Sequence, residues 1–305
     1  MTGFDKALQT IRKHLPHLEI RENEPMSRHT SFRIGGPVRA MAFPRQIAEL
    51  SDLCDLLRFH GITPLVIGNG TNLLVTDAPM EYFVIKTSDG LVDVRPLPVA
   101  QLSVECGVTL ARAAAEAQAL GLTGLEFAHG IPGTVGGAIS MNAGAYGGEM
   151  KDIVCSTIYL DENLVIRELV GDDHCFSYRH SAFTGSNKVV LRTMLRLQPA
   201  SPEEVAAKMR ELAERRRESQ PLEKASAGSF FKRPANGYAA ALIDECGLKG
   251  YAVGGAQVSE KHAGFIVNNG GASFSDVRRV MDHVRDTVYE RTGTILEPEV
   301  RIITA

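Results

Sequence analysis

The sequence predicts an α+β protein of more than one domain, and three observations carry that expectation. Helical stripes and short apolar strands are interleaved up to about residue 85. Strands dominate from about 86 to 200, and a mixed pattern returns after a helix-start signature at Ser201-Pro202-Glu203-Glu204. A chain of 305 residues is also long for one core. The division expected is 1–85, 86–200 and 201–305, with the last strand, 299–305, packing at the domain junction.

The elements follow in order. Phe4, Leu8, Ile11 and Leu15 repeat at helical spacing and predict a short amphipathic N-terminal helix. Ile47, Leu50, Leu53, Cys54 and Leu57 make a second stripe that Gly61 ends. PLVIGNG (64–70) reads as a buried strand running into a turn, and YFVIKT (82–87) as another strand. SVECG (103–107), a hairpin over 156–169 turning near Asp161-Glu162-Asn163, and KVVLRTMLRL (188–197) supply the strand-rich region. An alanine-rich helix over 109–119 interrupts it. Ser201 caps a helix running through Arg217, with Pro202 at its first position. SAGSFFKRP (226–234) reads as a polar loop before a helix starting near Tyr238. Val277, Val280, Met281, Val284 and Val288 form a helical face terminated by Gly293, and EVRII (299–303) is a short final strand.

Composition narrows the function classes. A hydrophobic content of 44% with 23% charged residues is ordinary for a globular protein. The net charge of −3 argues against a general nucleic-acid or membrane-surface binder, so an anionic ligand must be met by local groups. No apolar run approaches the ~20 residues that span a bilayer. The N-terminus lacks a signal-peptide core. Five cysteines, at 54, 106, 155, 175 and 246, form no CxxC pair, which points to reduced thiols, a cytoplasmic enzyme and no metal site.

The most unusual stretch is GIPGTVGGAISMNAGAYGGE (130–149), with seven glycines among twenty residues and Glu149 as its one charge. Interleaved Ile131, Val135, Ile139, Met141 and Tyr146 make a linker reading poor. A folded backbone cradle for a large anion, with main-chain N–H groups as donors, fits better. A second glycine turn, GNGTNLLV (68–75), follows the strand PLVI. Neither loop is a phosphate-binding GxxxxGK[ST] or a GxGxxG fingerprint. Two such loops in one chain suit a dinucleotide held at two places, although a plain turn at 68–72 stays open on these residues alone.

Three other segments carry polar groups suited to chemistry. SAGSFFKRP presents hydroxyls beside Gly228, then Lys232 and Arg233, without the partners of a hydrolase triad. SYRHSAF (177–183) alternates like a strand and places Arg179 inside it, either solvated or forked toward a carboxylate or phosphate. LEPEVRIIT (296–304) sets Glu299 and Arg301 on one face of a strand, as a surface pair or as an acid and a cation in a pocket. The arginines at 215–217 suit a helix C-terminus. His129 and His262 have no second ligand at helical spacing for a metal.

Taken together the chain resembles the UDP-N-acetylenolpyruvoylglucosamine reductase family. The matching segments are HTSFRIGGP (29–37), GNGTNLLV, EFAHGIPGTVGGAISMNAGAYGGE, YRHSAF, QPLEKASAGSFFKRP, LIDECGLKGYAVGGAQVSEKHAGFIVN and EPEVRII, in order along nearly the whole chain. The resemblance implies a two-subdomain FAD-binding unit of the vanillyl-alcohol-oxidase type plus a C-terminal α/β substrate-binding domain. It implies non-covalent FAD held by Gly68, Asn69, Gly70, Thr71, Asn72 and Leu73, and by Gly130, Ile131, Pro132, Gly133, Val135, Gly136, Gly137, Asn142, Gly144 and Ala145. In family terms the glycines keep side chains out of the cofactor's way.

The implied reaction is NADPH-dependent reduction of UDP-N-acetylglucosamine enolpyruvate to UDP-N-acetylmuramate, for bacterial peptidoglycan. Arg179 would stabilise the enolate-like charge, Glu299 would hold or share a proton beside it, and Ser229 would protonate the adjacent carbon. Lys232, Lys249, Arg301 and His262 are implied at the nucleotide, with Tyr178 and Arg233 completing the substrate set. The segment TGSNK between Phe183 and Val189 is short, as in the branch lacking a long tyrosine-bearing substrate loop. Ser219 stands where many relatives carry a lysine, and Arg233 replaces an asparagine of the long-loop branch. The expected partner is a small-molecule substrate, and the expected state is a cytoplasmic monomer. Two rivals are kept: a flavin oxidase of the same fold, tethering its flavin through His29, His60 or His129, and a non-catalytic UDP-sugar or flavin-binding regulator.

Overall fold

Local chemistry starts and stops the helices of the computed structural model, which describes residues 2–305. Helix α1 (Gly3–His14) begins at Thr2, whose hydroxyl accepts from Asp5 N while its own N–H donates to the Asp5 carboxylate, a reciprocal cap. Leu15 is its C-cap, so the predicted apolar face outruns the helix by one residue. Helix α2 (Ile47–Phe59) buries Leu50, Leu53, Cys54 and Leu57, and α3 (Leu110–Ala119) is capped by Thr109. The short α4 (Val135–Ser140) forms inside the glycine-dense loop. Helix α5 (Pro202–Ser219) opens as expected, with the Ser201 hydroxyl accepting from Glu204 N. Helix α6 (Ala239–Glu245) is followed by α7 (Phe274–Thr292), which buries Val277, Val280, Met281, Val284 and Val288 and ends at Gly293 with φ +70°.

The structure divides into two compact units whose segments alternate along the chain. The first takes in the chain up to Glu22, Ala40–Asn69 and Tyr82–Glu214. Its antiparallel five-stranded sheet runs in the order Ile166–Val170, Val154–Leu160, Val189–Arg196, Gln101–Glu105, Val94–Leu97. The predicted hairpin turns through Asp161, whose carboxylate accepts from Asn163 N and Val165 N, both at 2.8 Å. Helices α1 to α4 pack their apolar faces into the core of this unit, among them Leu53, Leu57, Ala113 and Ile139.

The second unit is Asn23–Arg39, Gly70–Glu81 and Arg215–Ala305. Its four-stranded sheet runs Ala225–Ser229, Phe265–Asn268, Ala256–Val258, Ala252–Val253, with α7 packed on it. The core includes Phe32, Phe230, Val277 and Val284. These units do not follow the contiguous boundaries read at 85 and 200. Leu73–Val75 pairs in parallel with the final strand Arg301–Ile303, so a segment early in the chain is built into a unit made mainly of its end. That pairing spans more than two hundred residues, and no local pattern reports it.

Three element expectations are corrected. SAGSFFKRP begins as a strand, Ala225–Ser229, not as a polar loop. The last strand starts at Arg301, so Glu299 precedes it, beside an isolated bridge between Phe231 and Pro298. SYRHSAF is no strand either: Ser177 and His180 bridge each other across a tight turn with Tyr178 and Arg179 at its tip. Alternation over so few residues looks the same whether the chain extends or doubles back.

Candidate functional site

The long loop closes on itself before it offers anything to a ligand. Thr134 caps α4, and the amides of Val135 and Gly136 donate inward to Val108 O and Cys106 O, both at 2.8 Å. Ile131 N donates to Ala128 O. The expectation of ligand-facing donors at these three positions is therefore corrected. Their amides build the floor of the loop. The family-level reason for the glycines is also only part of the account. A Cβ on Gly68 would stand 2.2 Å from Thr134 Oγ1, one on Gly136 2.8 Å from Cys106 Cβ, and one on Gly148 2.6 Å from the Phe127 ring. These glycines let the chain pack against itself.

Other positions are still open. Gly137 is exposed, and a Cβ there would meet the Thr134 hydroxyl at an ordinary 3.6 Å and nothing else of the protein. Among the described residues, the main-chain N–H groups of Gly68, Asn69, Gly130 and Gly133 have no protein acceptor. Gly68 abuts Thr134, so the turn after Leu65–Ile67 meets the start of α4 within the first unit. Unpartnered donors around a chain stripped of side chains fit the diphosphate of a dinucleotide such as FAD.

Past Gly144 and Ala145 the chain bends back, and Gly148–Glu149 pairs with Gly144–Ala145. Asn142 sits at φ +44° and is fully buried. Its amide NH₂ donates to Glu149 Oε2 (2.9 Å) and Ser177 O (3.0 Å), while its oxygen accepts from Lys151 N (3.0 Å). Asn142, expected at the cofactor, thus has its side chain engaged inside the protein. Arg179 occupies the left-handed region at φ +54°, a strained conformation for an arginine and a frequent mark of functional sites. Its guanidinium donates to Gly144 O at 3.3 Å and lies 5.1 Å from the centre of the Tyr178 ring. Partial burial pushes the Glu149 carboxyl up, but hydrogen bonds from Lys151 and Asn142 and the charges of Lys151 and Arg179 outweigh it. They hold Glu149 below its ordinary range.

In the second unit the segments bearing the other two catalytic candidates adjoin. Gly228 at φ +80° bulges the strand so that its register against Phe265–Asn268 shifts between Ser226 and Ser229. Ser229 emerges exposed at the end of that strand. The next residue, Phe230, accepts at its carbonyl from Glu299 N (2.9 Å), which sets the Glu299 backbone beside the serine segment. Asn72 secures the same place: its amide donates to Glu299 O (3.1 Å), and its carbonyl accepts from Arg301 N (3.0 Å). Leu73 then pairs with Arg301 in the parallel ladder. The end of GNGTNLLV is thus a mount for Glu299. Thr71 lies beside it in the turn, and Gly70 packs on His29 O, which its Cβ would approach to 2.1 Å.

The substrate candidates also lie in the second unit, Tyr178 apart. Lys232 pairs with Glu297 (3.4 Å), Arg233 lies 4.2 Å from the Tyr238 ring centre, and Lys249 pairs with Asp244 (2.6 Å). Arg301 is exposed. His262 Nδ1 accepts from Gly264 N (3.1 Å), so a neutral ring carries its proton on Nε2. Burial, with a smaller push from the Lys249 charge, lowers its pKa. Pro132 is exposed at the rim of the long loop. Of the histidines proposed as flavin tethers, His29 is buried against Glu24 (2.8 Å), His60 follows the last turn of α2, and His129 lies beside Gln118 and Met209. Thr134 and Glu149 carry parts of the site that sequence reasoning passed over. The T-V-G-G run, read as an N-cap, is the signal that would have found the first.

Comparison with known proteins agrees in both units. An FAD-binding domain matches residues 38–163, and the C-terminal domain of UDP-N-acetylenolpyruvoylglucosamine reductase matches 220–303. The chain is 47% identical over 295 residues to the reductase of that name from Caldanaerobacter subterraneus, covering 96% of each chain. The crystal structure of the Thermus caldophilus enzyme superposes with a TM-score of 0.79 at 32% identity, covering 94% of this chain and 99% of that one. The grass pollen allergen Phl p 4, at 16% identity and a TM-score of 0.51 over 64% of this chain, shares the fold alone. No helix among the described residues is long and apolar enough to cross a membrane.

Proposed function

The chain belongs to the UDP-N-acetylenolpyruvoylglucosamine reductase family, and on that premise we propose that it reduces UDP-N-acetylglucosamine enolpyruvate to UDP-N-acetylmuramate with NADPH as hydride donor. It is an FAD-dependent oxidoreductase of peptidoglycan precursor synthesis. The observation that supports the chemistry best is the mounting of Ser229 and Glu299 on adjoining segments: Glu299 N donates to the carbonyl of Phe230, next to Ser229, and Asn72 of the first glycine turn holds Glu299 O.

FAD, held by the open backbone donors of Gly68, Asn69, Gly130 and Gly133, would supply the hydride chemistry that links a reduced nicotinamide to the terminal vinyl carbon of the substrate. The protein's residues make that carbon a competent acceptor. The fixed positive charge of Arg179 stabilises the enolate-like dianion that develops on the carboxylate. Glu299 shares a proton with that group, and the Ser229 hydroxyl protonates the neighbouring carbon. Serine is a weak acid, but a carbanion-like centre is a strong base, so a placed hydroxyl suffices. Lys232, Lys249 and Arg301 supply cations for the uridine diphosphate, and His262 offers its Nε2 proton to the sugar or diphosphate. Tyr178 and Arg233 complete the substrate contacts. The reading includes a cytoplasmic monomer acting on a small nucleotide-sugar, which five unpaired cysteines suit.

Stopped-flow absorbance tests it. Ser229→Ala reduces its flavin with NADPH at the wild-type rate, then reoxidises with the enolpyruvyl substrate about 10²–10⁴-fold more slowly. Equal impairment of both half-reactions would refute the proton-donor role.

A further inference from the structure

We propose that Asn142 is the positioning residue that presents Arg179, so that the cofactor loop and the substrate-facing arginine are mounted as one piece. The inference rests on the reading that Arg179 meets the substrate carboxylate.

The turn bearing Arg179 is closed by paired hydrogen bonds between Ser177 and His180, 3.1 and 3.2 Å long. Its tip carries a non-glycine residue at φ +54°, a conformation that surrounding contacts must enforce. Those contacts come from the last residue of α4 and the residues just after it. The leg leading into the turn is held by Asn142 Nδ2 on Ser177 O. The leg leading out is held by the hydroxyls of Ser181 and Thr184, which both donate to Ser140 O at 2.8 Å. The guanidinium itself donates to Gly144 O. Three positions within five residues of the loop, 140, 142 and 144, therefore grip both ends and the tip of one turn. Phe183, buried against the Tyr159 ring at 5.3 Å, anchors the far side.

Among these grips the Asn142 amide makes the most contacts. Its second N–H donates to Glu149 Oε2, an oxygen that also pairs with Lys151 Nζ at 3.0 Å, and its oxygen accepts from Lys151 N. One fully buried side chain thus joins the loop's return strand, its single carboxylate and the arginine turn, with every polar atom satisfied. The Glu149 carboxylate lies near enough to Arg179 for the arginine to lower its pKa, so the brace also sets the charge behind the guanidinium.

A simpler role is available to an asparagine at φ +44°, since asparagine tolerates that backbone better than most residues. Asn142→Gly separates the two. Glycine keeps the backbone free of strain and removes only the amide. If the amide positions Arg179, Asn142→Gly slows reoxidation by the enolpyruvyl substrate between about tenfold and a hundredfold, the range expected for a group displaced by an ångström. Flavin reduction by NADPH stays at the wild-type rate. Asn142→Asp, which puts an acceptor against Ser177 O and Glu149, gives the same pattern more strongly and serves as the second variant.

Hydrogen–deuterium exchange supplies a readout independent of turnover. Amides over 177–184 exchange faster in Asn142→Gly, with FAD bound or removed, while those of Val154–Leu160 do not. In a double-mutant cycle Asn142→Gly adds no further loss of reoxidation rate to Arg179→Ala. Wild-type reoxidation and exchange in Asn142→Gly would overturn the inference, as would a fully additive cycle. Wild-type reoxidation in Arg179→Ala alone would instead sink the underlying reading of Arg179, and the exchange result would still report whether Asn142 braces the turn.

Discussion

Replacing Gly136 and Gly137 by alanine, one at a time, changes stability in opposite directions. Both lie within α4, where alanine is better than glycine by about 1 kcal/mol of helix propensity. At Gly136 the new methyl would stand 2.8 Å from Cys106 Cβ and 3.1 Å from Cys106 O, atoms of a residue only 2% exposed. The helix must shift outward by about an ångström to reach normal contact distance, which strains the 2.8 Å bond from Gly136 N to Cys106 O. Overpacking costs about 1–3 kcal/mol and the weakened bond about 1 kcal/mol, so the propensity gain is outweighed. A net loss of about 2 kcal/mol lowers the melting temperature of a unit this size by roughly 4–8 °C. At Gly137 the methyl meets Thr134 Oγ1 at 3.6 Å and nothing closer, so the full gain of up to about 1 kcal/mol stands. Thermal unfolding of flavin-free protein, followed by far-UV circular dichroism, reads both. Titration of the same proteins with FAD reads the ligand side, where Gly137→Ala binds more weakly because its added methyl stands on the exposed face of the loop. Equal melting losses for the two variants, or a Gly136→Ala protein as stable as wild type, would refute the packing account.

Arg179→Gly separates chemistry from backbone strain: turnover falls by at least about 10²-fold, while the melting temperature stays at or slightly above wild type, because glycine occupies φ +54° without penalty. Burial keeps the His262 pKa in the folded state below its unfolded value of about 6.5, so the unfolded chain binds the proton better. Stability is therefore full above that pH, declines as pH drops through it, and levels off below the folded value. Urea unfolding from pH 5 to 8 shows this slope, and His262→Gln reduces it; an unchanged slope would contradict the assignment. Burial pushes the thiols of Cys54 and Cys106 up to about 12, whereas Cys175 is exposed. A thiol reagent at pH 8 thus labels Cys175 first in the native protein, and rapid labelling of Cys106 would argue against the buried floor beneath α4.

The helices were legible because each carries its own start, face and stop within a single segment. Thr2, Ser201 and Ser273 cap from their own side chains, and the five apolar residues of α7 repeat on one stripe. The strand-rich middle was legible from runs such as 188–197, and the glycine loop from composition alone. The function was legible through a resemblance whose segments run the length of the chain, and the family comparison agrees with it.

What the amino-acid order determined by itself was therefore the helices, the strand-rich middle and the presence of an arginine, a hydroxyl and a carboxyl group in recognisable settings. Tertiary structure alone decided how those settings are held. Leu73 reaches Arg301 only through a parallel ladder, and Asn72 reaches Glu299 only because that ladder exists. Asn142 reaches Ser177 across thirty-five positions, and Gly136 needs its missing Cβ only because Cys106 comes to lie beneath it. Periodicity and capping act over a few residues, where chain geometry makes neighbours inevitable. Contacts between distant segments depend on how whole elements pack, and no local pattern encodes that.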